Sequence, residues 1–137
     1  MAQEIDILSS QPRQYSDFSL TFALNPVTND IVAVTGFESI KRAIKNLLLT
    51  NAGEVPFFPL FGSNLQRMLF EPIDAITSAL IESEITATIT AYEPRVSILA
   101  LIITPTPDES QYRVDLALQL LNLASPITLT LFLERLR

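Results

Sequence analysis

The chain has no cysteine, no histidine and no tryptophan. Without cysteine, disulfides and thiolate metal sites are excluded. Without histidine, the commonest general base and the commonest metal ligand are gone. Ser-His-Asp, Cys-His and zinc-type constellations cannot be built, so polar chemistry falls to carboxylates, hydroxyls and cations. Only three glycines occur, alone at 36, 53 and 62, which leaves no glycine-rich phosphate loop. Positive charge is scarce: 9 Lys and Arg stand against 15 Asp and Glu, a net charge of −6. Lys41, Arg42 and Lys45 form the one local basic cluster, with Glu38 beside them. A nucleic-acid surface needs a broader basic footprint to neutralise phosphates. Long apolar runs are missing too. The longest, 98–103, falls far short of the roughly 18 residues of a spanning helix. Residues 1–6 carry neither a basic n-region nor an apolar h-region, so no signal peptide is expected. A soluble protein made in a cytoplasm is the expectation.

Apolar content is high: 48% of 137 residues are hydrophobic and mean hydropathy is +0.33. A chain of this size suits one domain with a core that needs no crosslinks. The surplus apolar surface fits either a larger core or cover by partners.

Residues 1–16 are polar and aperiodic and read as a flexible arm ahead of a single domain, 17–137. Phe18, Leu20, Phe22 and Leu24 alternate with polar or small residues, the pattern of a half-buried strand. A turn at 25–30 and a β-branched run at 31–34 complete a hairpin. Thr35 and Glu38 have capping-box spacing. Phe37, Ile40, Ile44, Leu47 and Leu48 then recur at helical period until Asn51 and Gly53. A short helix is expected at 63–70. A longer one follows from about Ile73 to Tyr92, with Pro72 in its first turn. Thr86, Thr88 and Thr90 would also suit a strand. Residues 96–104 are almost continuously apolar, which predicts a strand buried on both faces. Tyr112 to Leu120 and Ile127 to Leu133 alternate cleanly, with turns at 105–110 and 122–126. The fold class is α+β: an N-terminal hairpin, then two or three helices packed on an antiparallel sheet that ends in a three-strand meander.

Three places stand out. The first is the segment 54–62, where Glu54 precedes two prolines, a glycine and the exposed-or-lid aromatics Phe57, Phe58 and Phe61. Prolines forbid a regular element there. The aromatics either close over the core or anchor a partner. The second is Glu93-Pro94-Arg95, at the junction of the long helix and the first core strand. It is either a helix-stop turn with a local ion pair or a rigid charged docking knob. The third is the last strand, with Thr128 and Thr130 at its centre. It has strong β propensity and no internal Gly or Pro. Placed at an edge it would accept an added strand; placed centrally it would not. As for catalysis, only a carboxylate pair acting on a glycosidic bond could be assembled, from Glu54, Glu71, Asp74, Glu82, Glu84 and Glu93. No spacing singles out a pair.

The segments 40–50 with Gly53-Glu54, then 56–62, then 92–96 occur in an order and spacing that resembles the baseplate wedge or sheath-initiator family. That family belongs to contractile phages, tailocins and type VI secretion systems, and some of its members are labelled lysozyme-like. The resemblance covers about residues 18–135. It implies a non-enzymatic structural subunit of a tail baseplate, assembled in a host cytoplasm, or of a related secretion machine. It implies that Glu93, Pro94 and Arg95 meet the wedge proteins, and that the β-sheet receives strands from the first tail sheath protein subunits. Tail tube or hub proteins are further candidate partners. No cofactor, metal, nucleic acid, membrane or small-molecule substrate is implied. Val55 follows Glu54 where relatives often carry a basic residue. The rival readings are a cell-wall glycosidase and a regulatory adaptor sharing the fold.

Overall fold

The computed structural model of the protein describes residues 16–19, 21–121 and 125–135. They belong to two units, Met1–Ser39 and Ile40–Arg137. In the first unit, β1 (Ser16–Phe18) pairs antiparallel with β2 (Ala33–Thr35), and a single bridge joins Leu24 to Ile31. The strand expected across 18–24 is cut short. Phe22 adopts φ 48, its N–H donates back to the Ser19 carbonyl at 3.0 Å, and Ser19 and Thr21 share a 2.7 Å hydroxyl bond. Local side-chain and turn bonds of this kind compete with a ladder. Phe18, Phe22 and Leu24 are therefore exposed rather than half-buried. The expected turn is present: Asn25 accepts the Val27 N–H at 2.9 Å, and Asn29 takes φ 54. The expected arm lies outside the described residues, apart from Ser16, which opens β1.

Helix α1 (Phe37–Leu49) starts one residue later than the capping-box spacing suggests. Gly36 at φ 66, not Thr35, flanks it, and the Ser39 hydroxyl donates to the Gly36 carbonyl at 2.8 Å. Ile40, Ile44, Leu47 and Leu48 are buried at the predicted spacing.

The second unit continues with α2 (Leu65–Met68) and α3 (Ala75–Tyr92). Asp74 caps α3 by accepting the Thr77 N–H at 2.7 Å, so Pro72 precedes the helix instead of sitting in its first turn. The threonine-rich stretch is helical. Thr77, Ile81, Ile85, Thr88 and Ile89 are buried at three- and four-residue spacing, a single stripe that only a helix can form.

Strands β3 (Val96–Thr106), β4 (Gln111–Leu120) and β5 (Pro126–Glu134) form an antiparallel sheet in that order, with a 3-10 turn at Pro107–Glu109 between the first two. Partners directly opposite share a face. Tyr112, Val114, Leu116, Leu118 and Leu120 on β4 are buried, as are Ile127, Leu131 and Leu133 on β5. Helix α3 lies against β3. The Tyr112 hydroxyl donates to the Pro72 carbonyl at 3.2 Å, and burial pushes its phenol pKa up. The expectation that β3 is buried on both faces is corrected: Leu99 is 53% and Ile102 60% exposed. Among the described residues β3 is an edge strand, and these two side chains are left uncovered. The turn expected at 122–126 lies outside the described residues at 122–124, and β5 already begins at Pro126.

Ile85 is fully buried and Leu80, on the same helix, is 50% exposed. Ile85→Ala should lower stability by about 3 kcal/mol, and Leu80→Ala by less than about 1 kcal/mol. Urea unfolding of the two variants beside the parent chain measures both.

Candidate functional site

The segment 51–63 is a closed loop held at its neck. Ser63 N–H donates to the Thr50 carbonyl at 2.9 Å, Ala52 N–H to the Ser63 carbonyl at 3.1 Å, and the Ser63 hydroxyl to the Leu48 carbonyl at 2.7 Å. Gly62 makes the neck possible. At φ +112 its Cβ would lie 2.5 Å from the Thr50 carbonyl oxygen, so no side chain fits there. Glu54 braces the loop's first turn by accepting the Asn51 N–H at 2.9 Å. At the loop's far side Phe57 is 96%, Leu60 81% and Phe58 67% exposed. Phe57 also sits at φ +69, a strained conformation for an aromatic residue. The lid reading thus fails for Phe57 and Phe58. Phe61 alone turns inward, half-buried.

Phe61 packs edge-on against Tyr92, with ring centroids 5.2 Å apart and planes at 66°. The Tyr92 hydroxyl donates to the Leu60 carbonyl. These two contacts tie the loop to the end of α3, where the second candidate begins. Glu93 closes α3, its N–H bonded to the Ile89 carbonyl at 2.8 Å. Pro94 then forbids continuation. Arg95 grips Glu93 through both Nε and an outer guanidinium nitrogen, one to each carboxylate oxygen. The ion pair expected from sequence is present, but it is not an exposed one. The Glu93 side chain retains 7% of its accessible surface and that of Arg95 34%. Phe57, Phe58, Phe61, Glu93, Pro94 and Arg95 therefore belong to one tied assembly. Sequence reasoning missed its tie, Tyr92 with Leu60, because the two residues are 32 apart in the chain.

Thr128 and Thr130 stand on a different element, β5. Arg135 N–H donates to the Ser110 carbonyl at 2.8 Å, one step beyond the Glu134–Gln111 pair. Antiparallel residues alternate between bonding their partner and pointing away. Leu133, Leu131, Leu129 and Ile127 therefore bond β4, while Glu134, Phe132, Thr130 and Thr128 turn their peptide groups outward. Pro126, which has no N–H, falls in the outward set, as an edge proline should. Among the described residues, no strand lies beyond β5. Among the described residues β5 is therefore an edge strand, not a central one. On the opposite edge, β3 is bulged between Ile98 and Ala100. The same alternation, from Leu121 N–H on the Arg95 carbonyl at 3.1 Å, puts Pro105 at an outward position there. That edge is interrupted; the β5 edge is continuous from Thr128 to Glu134. The Thr130 hydroxyl bonds Asp115 at 2.7 Å, and Asp115 also pairs with Arg113 at 2.9 Å.

Most candidate acids have structural duties. Glu54 and Asp74 hold turns, Glu84 accepts the Asn64 N–H at 2.7 Å and Glu93 is clamped by Arg95. The Thr77 N–H and hydroxyl hold Asp74 below the ordinary value of 3.8, and the Thr130 hydroxyl with Arg113 does the same for Asp115. Among the described residues, no three acids gather as a metal site.

The sequence matches the profile of the family described as Baseplate wedge protein gp25 over residues 34–122. Baseplate wedge protein gp25 of Enterobacteria phage T4 is 30% identical over 93 residues, 68% of this chain and 70% of the phage protein. A Geobacter sulfurreducens protein provisionally named a tail lysozyme superposes with a TM-score of 0.68 at 25% identity, covering 73% of this chain and 91% of that one. A chain of the anti-feeding prophage baseplate gives 0.70 at 24% identity, with 82% and 90% covered. A chain of the postcontracted pyocin R2 baseplate gives 0.54 at 23%, with 77% and 95% covered. The last two likenesses are of fold.

Removing Arg95 would leave a buried carboxylate without its bidentate partner. Arg95→Ala should therefore cost about 2–3 kcal/mol of stability, above the range of an exposed pair. Pro94→Ala, at an exposed position, should cost less than about 1 kcal/mol. Denaturant melts of both variants check the contrast; equal, small losses would mean that Glu93 is solvated.

Proposed function

The chain belongs to the baseplate wedge protein gp25 family, and from that premise we propose that it is a structural, non-enzymatic subunit joining its wedge neighbours to the first ring of tail sheath. As a member of this family it is a component of contractile-tail baseplates and partners other baseplate proteins. The finer assignment has two parts. The tied assembly of loop and turn, carrying Phe57, Phe58, Leu60 and Pro94 outward with Glu93 and Arg95 beneath, docks the wedge bundle. The β5 edge, through Thr128 and Thr130, templates the sheath by strand addition. The tail tube or hub lies next in line as a neighbour.

One observation carries the reading: β5 presents an unbroken row of outward peptide groups, with charge only at its tip in Glu134 and Arg135. Soluble proteins usually blunt such a row. Left open, it binds extended segments by main-chain hydrogen bonds. The glycosidase reading draws on the tail-lysozyme name of one structural relative. Such an enzyme needs a carboxyl kept protonated in an apolar pocket. Asp74 and Asp115 are shifted the opposite way, and Glu54, Glu84 and Glu93 are engaged in holding the fold. Fold likeness alone carries no activity.

Two outcomes are expected. Phe57→Gly relieves a strained backbone and removes an aromatic anchor, so the variant should melt at or above the parent temperature yet bind wedge proteins at least tenfold more weakly in pull-down titrations. Undiminished binding would remove the loop from the interface. Thr128→Pro deletes an outward N–H and no home-sheet bond. The monomer should stay folded by circular dichroism while electron micrographs show baseplates without sheath. Normal sheaths on mutant baseplates would exclude strand addition at β5.

A further inference from the structure

An open edge that meets a donor strand only at the baseplate must be accommodated before assembly. We propose that the free subunit covers its β5 edge with a second copy of itself, in an antiparallel pair centred on Leu131. The proposal rests on the open edge invoked above, but not on which strand the sheath contributes. The occupant follows from the row's own symmetry. The outward peptide groups belong to Thr128, Thr130, Phe132 and Glu134, and a two-fold axis at Leu131 matches Thr128 with Glu134 and Thr130 with Phe132 of the second copy. All four residues then sit in hydrogen-bonded pairs, each pair exchanging two bonds, and Pro126 falls outside the paired stretch. Shifting the axis to Thr130 would bring Pro126 opposite Glu134 and lose a donor. Side chains agree with the Leu131 register. No like charges face each other. On the core face Leu131 meets its own copy, and Leu129 meets Leu133. On the other face Phe132, 60% exposed in the single chain, gains the β-branched Thr130 as its direct partner. The edge of β3, bulged and carrying Pro105, offers no comparable row. The self-pair keeps the templating edge closed in solution and comes apart when the subunit joins the baseplate, which bares the edge for a donor strand.

The test uses the full chain. In sedimentation velocity at concentrations on the order of 100 μM, above the range of weak contacts, the mass should be twice the 15.2 kDa of one chain. Thr128→Pro should return it to one. Thr130→Pro repeats the test if the first variant unfolds. Because the chain has no cysteine, a Thr130→Cys/Phe132→Cys variant should oxidise to a covalent dimer, since paired Cα atoms about 5.5 Å apart suit a disulfide. Thr130→Cys alone should not. A parent chain that stays single at every concentration, a folded Thr128→Pro that still doubles, or equal crosslinking by the single cysteine each overturns the proposal. A single parent chain whose Thr128→Pro variant still lost its sheaths would defeat the self-pair and leave strand addition standing.

Discussion

Strand β4 hydrogen-bonds on both sides while its alternate side chains, from Tyr112 to Leu120, are buried together. That double commitment fixes the register of the sheet, because a slip by one residue would turn Val114, Leu116 and Leu118 out of the core. Among the described residues it also makes β3 and β5 the edges. The two then diverge for local reasons. A bulge and Pro105 interrupt β3, whereas β5 keeps its only proline at the first position. That asymmetry leaves β5 with the uninterrupted row of outward peptide groups.

The second proposed surface depends on a close approach of backbone. Gly62 lets the neck of the 51–63 loop close against Thr50, and the closed neck throws the Phe57 and Leu60 side chains outward. Tyr92 then ties this loop to the turn where Pro94 ends α3. Exposed aromatics on a braced loop lose little conformational entropy on docking. The clamp of Arg95 on Glu93 keeps the turn rigid without being its outermost feature. On the proposed docking role, folding and docking share residues, and a variant at Arg95 should perturb both.

Much of this was legible in the sequence where one physical signal acted alone. The alternation of 112–120 and 127–133 placed β4 and β5, and the helical period of α1 survived the one-residue error at its start. Errors arose where two signals had the same appearance. An apolar run such as 98–103 can mean burial on both faces or an edge that waits for cover, and only the position of α3 decides. Alternation at 18–24 mimicked a strand, but hydroxyl bonds between Ser19 and Thr21 turned the chain instead. At the candidate site, the types of residue were visible and their state was not. Nothing local tells that Phe57 points outward while Phe61 turns to Tyr92, or that Glu93 is buried. Those facts depend on partners far along the chain. The family resemblance drawn from the segments 40–54, 56–62 and 92–96 agrees with the match over 34–122.

The central claim, that the outward row of β5 is where sheath begins, is tested most directly by residue-resolved hydrogen exchange on baseplates isolated before and after sheath growth. The amides of Leu129, Leu131 and Leu133, bonded to β4, should be protected in both. Those of Thr128, Thr130, Phe132 and Glu134 should exchange rapidly before growth and become protected after it. Outward amides that exchange equally fast in sheathed and bare baseplates would contradict the account.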